Sequence, residues 1–517
     1  MNTFLLPTGW AIALIADVIC DVQTTDPSTR PSAEITYFDI SSIDNEAGRV
    51  SDAKVVLGAD APSRARQIVQ EGDVLFSTVR PNLRAIALVP AVANGIASTG
   101  FCVLRAAQSI DPHYLYFYAR SEGFLYALLP LARGVSYPAV RSGDVVSQSI
   151  PIAPAAEQTR IVEKLEELLS DLDAGVAELK AAQKKLAQYR QSLLKAAVEG
   201  ALTADWRKGQ AASPAETIES GAALLARILT ERRSRWETRQ LAKFQTQGKA
   251  PPKDWQAKYP APVAQDSAGL PALPQGWVWS SLGQCFQVAV GATPSRKESG
   301  YWGGGIPWVS SGEVRFNRIT ESKETISEEG LNNSSTRLNP VGSVLLGMIG
   351  EGKTRGQVAI LNIEAANNQN CAAIWVSETD VPPEYVYFWL WSRYDETRRG
   401  SSGNNQPALN KSIVEGIPFP LPPLDELAQI VQVVSASLLQ TSDQETAVEY
   451  SLKQSAAQRK NILQAAFSGQ LVPQDPADEP ASVLLARIRA ERATRGTGFA
   501  RGRGKQTVAK QTMSHLA

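Results

Sequence analysis

One stretch of the 517-residue chain has the spacing of a phosphate-handling loop. Gly347-Met348-Ile349-Gly350-Glu351-Gly352-Lys353-Thr354 fits GxxxxGK[ST], in which backbone N–H groups cradle phosphates and the lysine reaches them. That chemistry needs a strand before the loop and a helix after it, so that the helix N-terminus meets the anion. A strand is expected over 341–346. The residues that follow, Arg355 to Leu361 (RGQVAIL), read as a second strand and not as a helix. The motif is therefore expected to be a glycine-rich hairpin loop that offers Lys353, Arg355 and Gln357 to a nucleic acid.

Asp111-Pro112-His113-Tyr114 approaches the D-P-P-Y pattern of adenine methyltransferases. A second copy, Val381-Pro382-Pro383-Glu384-Tyr385, lacks the aspartate, and no glycine-rich cofactor loop follows a strand. A helix start explains both copies, with Asp111 as N-cap and Pro112 at the first helical position. The chain has two histidines, His113 and His515, and four scattered cysteines, Cys20, Cys102, Cys285 and Cys371, with no CxxC pair. This argues against a zinc site and against histidine acid–base catalysis, and the cysteines read as small buried hydrophobes. No catalytic, cofactor-binding or metal-binding residue is expected. The alternatives are a P-loop NTPase acting through Lys353 or an adenine methyltransferase acting through Asp111.

The elements that would position these residues occur twice. Leu6-Pro7-Thr8-Gly9-Trp10 recurs as Leu273-Pro274-Gln275-Gly276-Trp277. Ile35 to Ser42 aligns with Ile306 to Ser311, Gly72 to Leu75 with Gly342 to Leu345, and Cys102 with Cys371. Tyr114 to Phe117 aligns with Tyr385 to Phe388, Pro138-Ala139 with Pro407-Ala408, and EQTRIV from Glu157 with ELAQIV from Glu426. LLKAAVEGALT from Leu193 matches ILQAAFSGQLV from Ile462. By subtraction the offset runs from 267 (Trp10 to Trp277) to 271 (Ile35 to Ile306), and drops to 260 only for LLARI (Leu224 to Leu484). A period this long is a duplicated domain pair and not a solenoid.

Each copy opens with about 150 residues of mixed α+β character and continues into a long helix. In the first, Ile161, Leu165, Leu168, Leu172, Gly175, Leu179, Ala182, Leu186, Tyr189, Leu193 and Ala196 alternate steps of four and three, a heptad seam. A helix of some 40 residues would run roughly 60 Å. The second copy keeps a weaker seam in Ile430, Val434, Val448 and Ile462, with Thr441, Gln444 and Ser451 between. The two helices are expected to pair antiparallel within one chain, the alternative being a dimerisation coil between chains. The predicted fold class is α+β: two globular α/β domains in tandem repeat, separated by two long antiparallel helices forming an intramolecular coiled coil.

The expected boundaries are a first domain over 1–154, a helical region with extension over 155–246 and a Pro- and Ala-rich linker over 247–272. A second domain covers 273–423, a second helical region 424–492 and a basic, disordered tail 493–517. With 43% hydrophobic and 20% charged residues and no apolar run of membrane-spanning length, the composition is that of a globular protein, and no membrane partner is expected. The start of the chain does not read as a secretory signal, so a cytoplasmic location is expected.

The LPxGW starts, YWGGGIPWVSSGEV (Tyr301 to Val314), GEGKTRGQ (Gly350 to Gln357), ALNKSIVEGIPFPLPPLDELAQIV (Ala408 to Val431) and LVPQDPADEPASVLLARIRAER (Leu471 to Arg492) resemble specificity subunits of type I restriction-modification systems. The resemblance covers nearly the whole chain. The first copy departs more: it has Ile150-Pro151-Ile152-Ala153-Pro154 for the Pro-Leu-Pro-Pro run and no YWGGG. The resemblance implies that each globular domain is a target recognition domain reading half of a bipartite, asymmetric site in double-stranded DNA. The helices would set the unread spacer. Two modification subunits would bring S-adenosylmethionine and adenine-N6 methylation, and restriction subunits would bring ATP- and Mg-dependent translocation and cleavage. The chain itself would hold no cofactor and would not be an enzyme. A coiled-coil adaptor with no DNA role is the remaining alternative.

Direct readout uses Arg or Lys against guanine and Asn or Gln against adenine. The candidate DNA-binding residues are Arg80, Asn82 and Arg84 in the first copy and Lys353, Arg355 and Gln357 at the same hairpin position in the second. Asn367, Asn368 and Gln369 are further candidates, and Tyr301 and Trp302, beside Trp308, Arg296 and Lys297, could stack on sugar or base. Two readers on one side of a duplex would meet major-groove faces about one helical turn, roughly 34 Å, apart. The chain carries 52 basic and 52 acidic residues. Residues 1–150 hold 11 basic and 14 acidic side chains and residues 271–420 hold 12 and 14, so nonspecific affinity for DNA is expected to be modest without partner subunits.

Overall fold

The structure is a computed structural model and describes residues 6–134, 137–211, 219–350, 353–399 and 409–499. Contacts divide the chain into two units, Met1–Lys180 with Glu449–Ala517, and Ala181–Val448. Each unit holds one globular domain, one part of the long helix Ala155–Val198 and one part of the long helix Leu424–Phe467.

The main sheet of the first unit runs, in spatial order, Ile19–Cys20, Phe101–Ala106, Val74–Ser77, Ile86–Leu88, Arg49–Val50 and Ile43–Asp44. That of the second runs Gln287–Val290, Cys371–Trp375, Val344–Gly347, Val358–Leu361 and Asn317–Ile319. The shared strands follow the same order in both units. Val103 pairs with Leu75 in one and Ala373 with Leu345 in the other. A smaller sheet in each unit contains a parallel pair, Gly95–Ser98 on Glu34–Phe38 and Ala366–Asn367 on Trp302–Val309.

The central strands read as unbroken apolar runs because both of their faces are covered. Successive side chains point to opposite faces. Val74, Phe76, Cys102 and Leu104 therefore join the core under the helices, while Leu75, Ala87, Phe101 and Val103 join a second core on the other face. In the second unit Val344, Leu346, Ala372 and Ile374 take the helix side, and Leu345, Ala359, Cys371 and Ala373 the other. Cys102, Cys285 and Cys371 are buried and Cys20 half-buried. Burial pushes the Cys102 thiol up to about 11 and those of Cys285 and Cys371 to about 12, which leaves them neutral and unreactive.

The helix expected after Asp111 spans Pro112–Ala119, with the Asp111 carboxylate accepting from His113 N–H at 2.8 Å. Its counterpart spans Pro383–Ser392. Each carries a fully buried tyrosine whose hydroxyl donates to the strand leading to a long helix: Tyr114 to Pro151 O at 2.9 Å and Tyr385 to Pro420 O at 3.0 Å.

The long helices pair antiparallel within the chain. In the first unit Asp173 meets Arg459, and Arg160 meets Asp478 at 2.6 Å. In the second, Arg190 meets Glu445, and Thr203, just past the first helix, donates to Glu426 at 2.6 Å. Of the expected seam, Ile161, Leu165 and Leu193 are buried and Leu168, Leu172, Leu179 and Leu186 half-buried. Gly175 and Tyr189 lie outside it, exposed to solvent. Leu169, Leu194 and Val198 are buried although a strict 4–3 count omits them. At its ends the helix faces both a partner helix and a sheet, so its apolar stripe widens beyond the narrow a/d seam.

On the second helix Ile430 and Val434 are fully buried, Val448 and Ile462 half-buried, with Leu463 the more buried neighbour of Ile462. Thr441 is buried within this stripe, and its hydroxyl donates to Ser437 O at 2.8 Å. A polar residue is tolerated there because its donor is satisfied inside its own helix.

The Pro- and Ala-rich stretch 247–272 is not free of the second unit. Trp255, in the turn Trp255–Lys258, stacks on Trp236 of the helix Gly221–Thr246 at 5.8 Å, and Pro271 O accepts from the Trp279 indole at 2.9 Å. The helix Ala481–Phe499 includes 493–499, so the expected tail begins with helical turns, and residues 500–517 lie outside the described residues. No helix among the described residues is long and apolar enough to cross a membrane.

Candidate nucleic-acid interface

The first hairpin loop joins Val74–Ser77 to Ile86–Leu88, which pair antiparallel. Arg80, Asn82 and Arg84 all sit in it, around the short turn Pro81–Leu83. Arg80 and Arg84 both have left-handed backbone, φ +49° and +57°, which side chains other than glycine seldom adopt. The loop is pinned from beside: Arg80 N–H donates to Pro138 O at 2.7 Å, and Val140 N–H to Thr78 O at 2.9 Å. The Arg80 guanidinium lies over the exposed ring of Tyr137, 4.2 Å from its centroid. Asn82 is exposed. Arg84 is ion-paired to Glu122, and that pair holds the Glu122 carboxyl below the usual carboxylate range.

The second hairpin, Val344–Gly347 with Val358–Leu361, occupies the same place in its own sheet. A strand, Val358–Leu361, follows the GxxxxGKT motif where a phosphate-binding loop would lead into a helix. Lys353 is exposed, and its carbonyl accepts from the Tyr394 hydroxyl at 2.8 Å. Arg355 is half-buried, with no partner for its Nε among the described residues. Gln357 is half-buried, and its carbonyl accepts from Gly347 N–H at 2.8 Å. Glu351, Gly352 and Pro407-Ala408 lie outside the described residues.

Two further candidates, Asn367 and Asn368, serve the fold instead. Asn368 is 7% exposed and its side chain accepts from Asn370 N–H at 3.1 Å. Asn367 is fully buried: it donates to Asn368 O and Cys371 O and accepts from Asn339 at 2.8 Å. Asn339 in turn accepts from the Trp375 indole at 2.9 Å. These amides turn inward because an irregular strand end leaves backbone groups that only side chains can satisfy. Gln369 is exposed and accepts from the Thr293 hydroxyl at 2.6 Å.

Trp302 is also committed. The Arg296 guanidinium stands 3.6 Å from its centroid, Trp308 packs edge-on at 5.1 Å, and its indole donates to Ser295 O at 3.2 Å. Arg296 is paired to Glu324 as well. Tyr301 is half-buried and its backbone holds the turn against Ser327. The cluster resembles a structural cation–π stack more than a free stacking platform.

Sequence reasoning missed Tyr137, whose one signal was its place beside the repeated Pro138-Ala139. It also read LPxGW only as a landmark. In both units a glycine with left-handed backbone, Gly9 at φ +94° and Gly276 at φ +88°, turns the chain so that the tryptophan meets the start of a long helix. Trp10 donates to Glu157 at 3.0 Å and Trp277 to Glu426 at 2.8 Å. The repeated EQTRIV and ELAQIV segments supply these carboxylates.

Similarity to known proteins extends over both units. The family described as type I restriction modification DNA specificity domain matches residues 274–456. The chain is 24% identical over 403 residues to the type I restriction enzyme EcoDI specificity subunit of Escherichia coli, covering 75% of this chain and 78% of that one. It is 23% identical over 531 residues to the StySPI specificity subunit of Salmonella potsdam, covering 99% and 100%. A solved chain from work on complex assembly and conformational transition of the type I R-M system superposes with a TM-score of 0.66 at 25% identity, covering 90% of this chain and 99% of that one. Residues 274–456 carry that specificity domain, and over nearly its whole length the chain is similar to specificity subunits of type I restriction-modification systems.

Proposed function

We propose that this chain is the DNA-sequence-reading subunit of a type I restriction-modification complex and performs no catalysis itself. Each domain reads one half of a bipartite, asymmetric site, and the paired helices set the spacer between the halves. The observation that carries this reading is the repetition of one hairpin loop, with basic and amide side chains, at the same place in both sheets. Partner modification subunits supply S-adenosylmethionine and adenine-N6 methylation, two of them per chain, and restriction subunits supply ATP- and Mg-dependent cleavage in the cytoplasm.

Within the loops, Arg80, Asn82, Lys353 and Gln357 are the readers. Arg84 and Arg355 support the loops from partly buried positions. A near-neutral surface keeps nonspecific affinity low, so discrimination rests on base contacts, each worth about 1–3 kcal/mol. The test is methylome sequencing of cells that express the chain with its modification partner. Exchanging residues 78–85 for those of a relative should change one half of the methylated sequence and leave the other half and the spacer intact. Loss of both halves together, or no change, would defeat the reading.

A further inference from the structure

The two units differ at a place where their repeated motifs match. In the second unit the buried Glu426 carboxylate receives three donors: the Trp277 indole at 2.8 Å, the Thr203 hydroxyl at 2.6 Å and the Arg207 guanidinium. Arg207 belongs to the short helix Ala204–Ala211. In the first unit Glu157 is 1% exposed and accepts the Trp10 indole on Oε2, but its Oε1 meets no donor among the described residues.

The chain connection accounts for the difference. From Thr203 to Leu224 is 224 − 203 = 21 residues, whereas from Val472 to Leu484 is 484 − 472 = 12. The nine residues absent from the first unit correspond to the eight-residue helix that carries Arg207. Between Phe467 and Ala481 the first unit has no helix or strand, only turns.

A cleft of about 450 Å³ remains there, lined by Thr8, Trp10, Glu157, Gln474, Asp475 and Asp478 among others. Arg160, the cation beside it, is paired with Asp478 at 2.6 Å. The Gln474 amide gives one of its two N–H groups to Gly469 O at 2.6 Å. Three carboxylates thus face one guanidinium, which is paired with one of them. A buried carboxylate oxygen without a donor bears its full desolvation cost unless something reaches it from outside.

We propose that this cleft receives the guanidinium of an arginine carried by another polypeptide, which stands where Arg207 stands in the second unit. A planar fork that donates two parallel N–H bonds suits a buried carboxylate better than a point charge does. One unit closes its Trp–Glu latch in cis; the other completes it when a partner docks. The proposal is independent of which bases the hairpins read.

The full chain labelled with 5-fluorotryptophan provides the test, with the Trp10 and Trp277 resonances assigned through Trp10→Phe and Trp277→Phe. N-acetyl-L-arginine amide, titrated to about 100 mM to cover weak dissociation constants, should shift Trp10 saturably and leave Trp277 in place. The uncharged citrulline analogue should shift neither. Glu157→Gln should remove the response, and Arg207→Ala should make Trp277 respond. A stationary Trp10, or a shift that survives Glu157→Gln, overturns the proposal. So does a Trp10 response that appears only in a chain ended after Phe499, which would mean that Arg501 or Arg503 of this chain fills the cleft.

Discussion

The loops that hang from the two central hairpins share their strands but not their construction. The first bends through left-handed arginines and is clamped by the backbone around Pro138. The second bends through Gly350 and Gly356, at φ +141° and +83°, and leans on Tyr394. The central strands beneath them follow the same order, while the loops agree in little but position. A duplicated core constrains where a loop is presented, and it leaves length, charge and backbone free to diverge. Two readers of different half-sites, as proposed, would need that freedom.

The Trp–Glu latches sharpen the comparison, and the largest predicted effect lies there. Glu426→Ala strands a buried indole, a hydroxyl and a guanidinium, and should cost about 3–5 kcal/mol. Glu157→Ala, which strands only the Trp10 indole, should cost roughly 1 kcal/mol. Equilibrium urea unfolding of the full chain measures both, and equal costs would show that Arg207 contributes nothing to its latch.

The buried tyrosines are the opposite case, because their hydrogen bonds match. Tyr114→Phe and Tyr385→Phe should each cost about 1 kcal/mol. A difference between them would reveal asymmetry that the two bond lengths, 2.9 and 3.0 Å, do not suggest.

The smallest effect is on pH. Burial raises the Glu157 carboxyl above its ordinary value of 4.5, while the Trp10 indole, then the Arg160 charge and the neighbouring Gln474 amide pull it back, with Asp478 adding a push upward. A carboxyl with a raised folded-state pKa holds its proton more tightly when folded. Stability contributed by Glu157 should therefore fall as pH rises through 4.5 and the raised value. Glu157→Gln should flatten that slope in unfolding midpoints measured across the acid range; an unchanged slope would show that Glu157 does not carry it.

Much of the architecture could be read from residue order. The duplication, the hairpin in place of a phosphate loop, the N-cap at Asp111 and the seam through Ile161, Leu165 and Leu193 are local or periodic signals, and local backbone preferences carry them. Even the drop in offset from 269 to 260 held information, since it marks the helix bearing Arg207.

Tertiary structure decided which polar side chains are spent on the fold. Asn367 turns inward to Asn339 and Cys371, Asn368 to Asn370, Trp302 is taken by Arg296, and Arg84 is held by Glu122. It also decided that Leu169 and Leu194 are buried while Tyr189 is exposed, because the width of a helix's apolar face depends on how many neighbours it meets. Residue type and spacing state what a side chain can do. Only packing determines whether that capacity is already used.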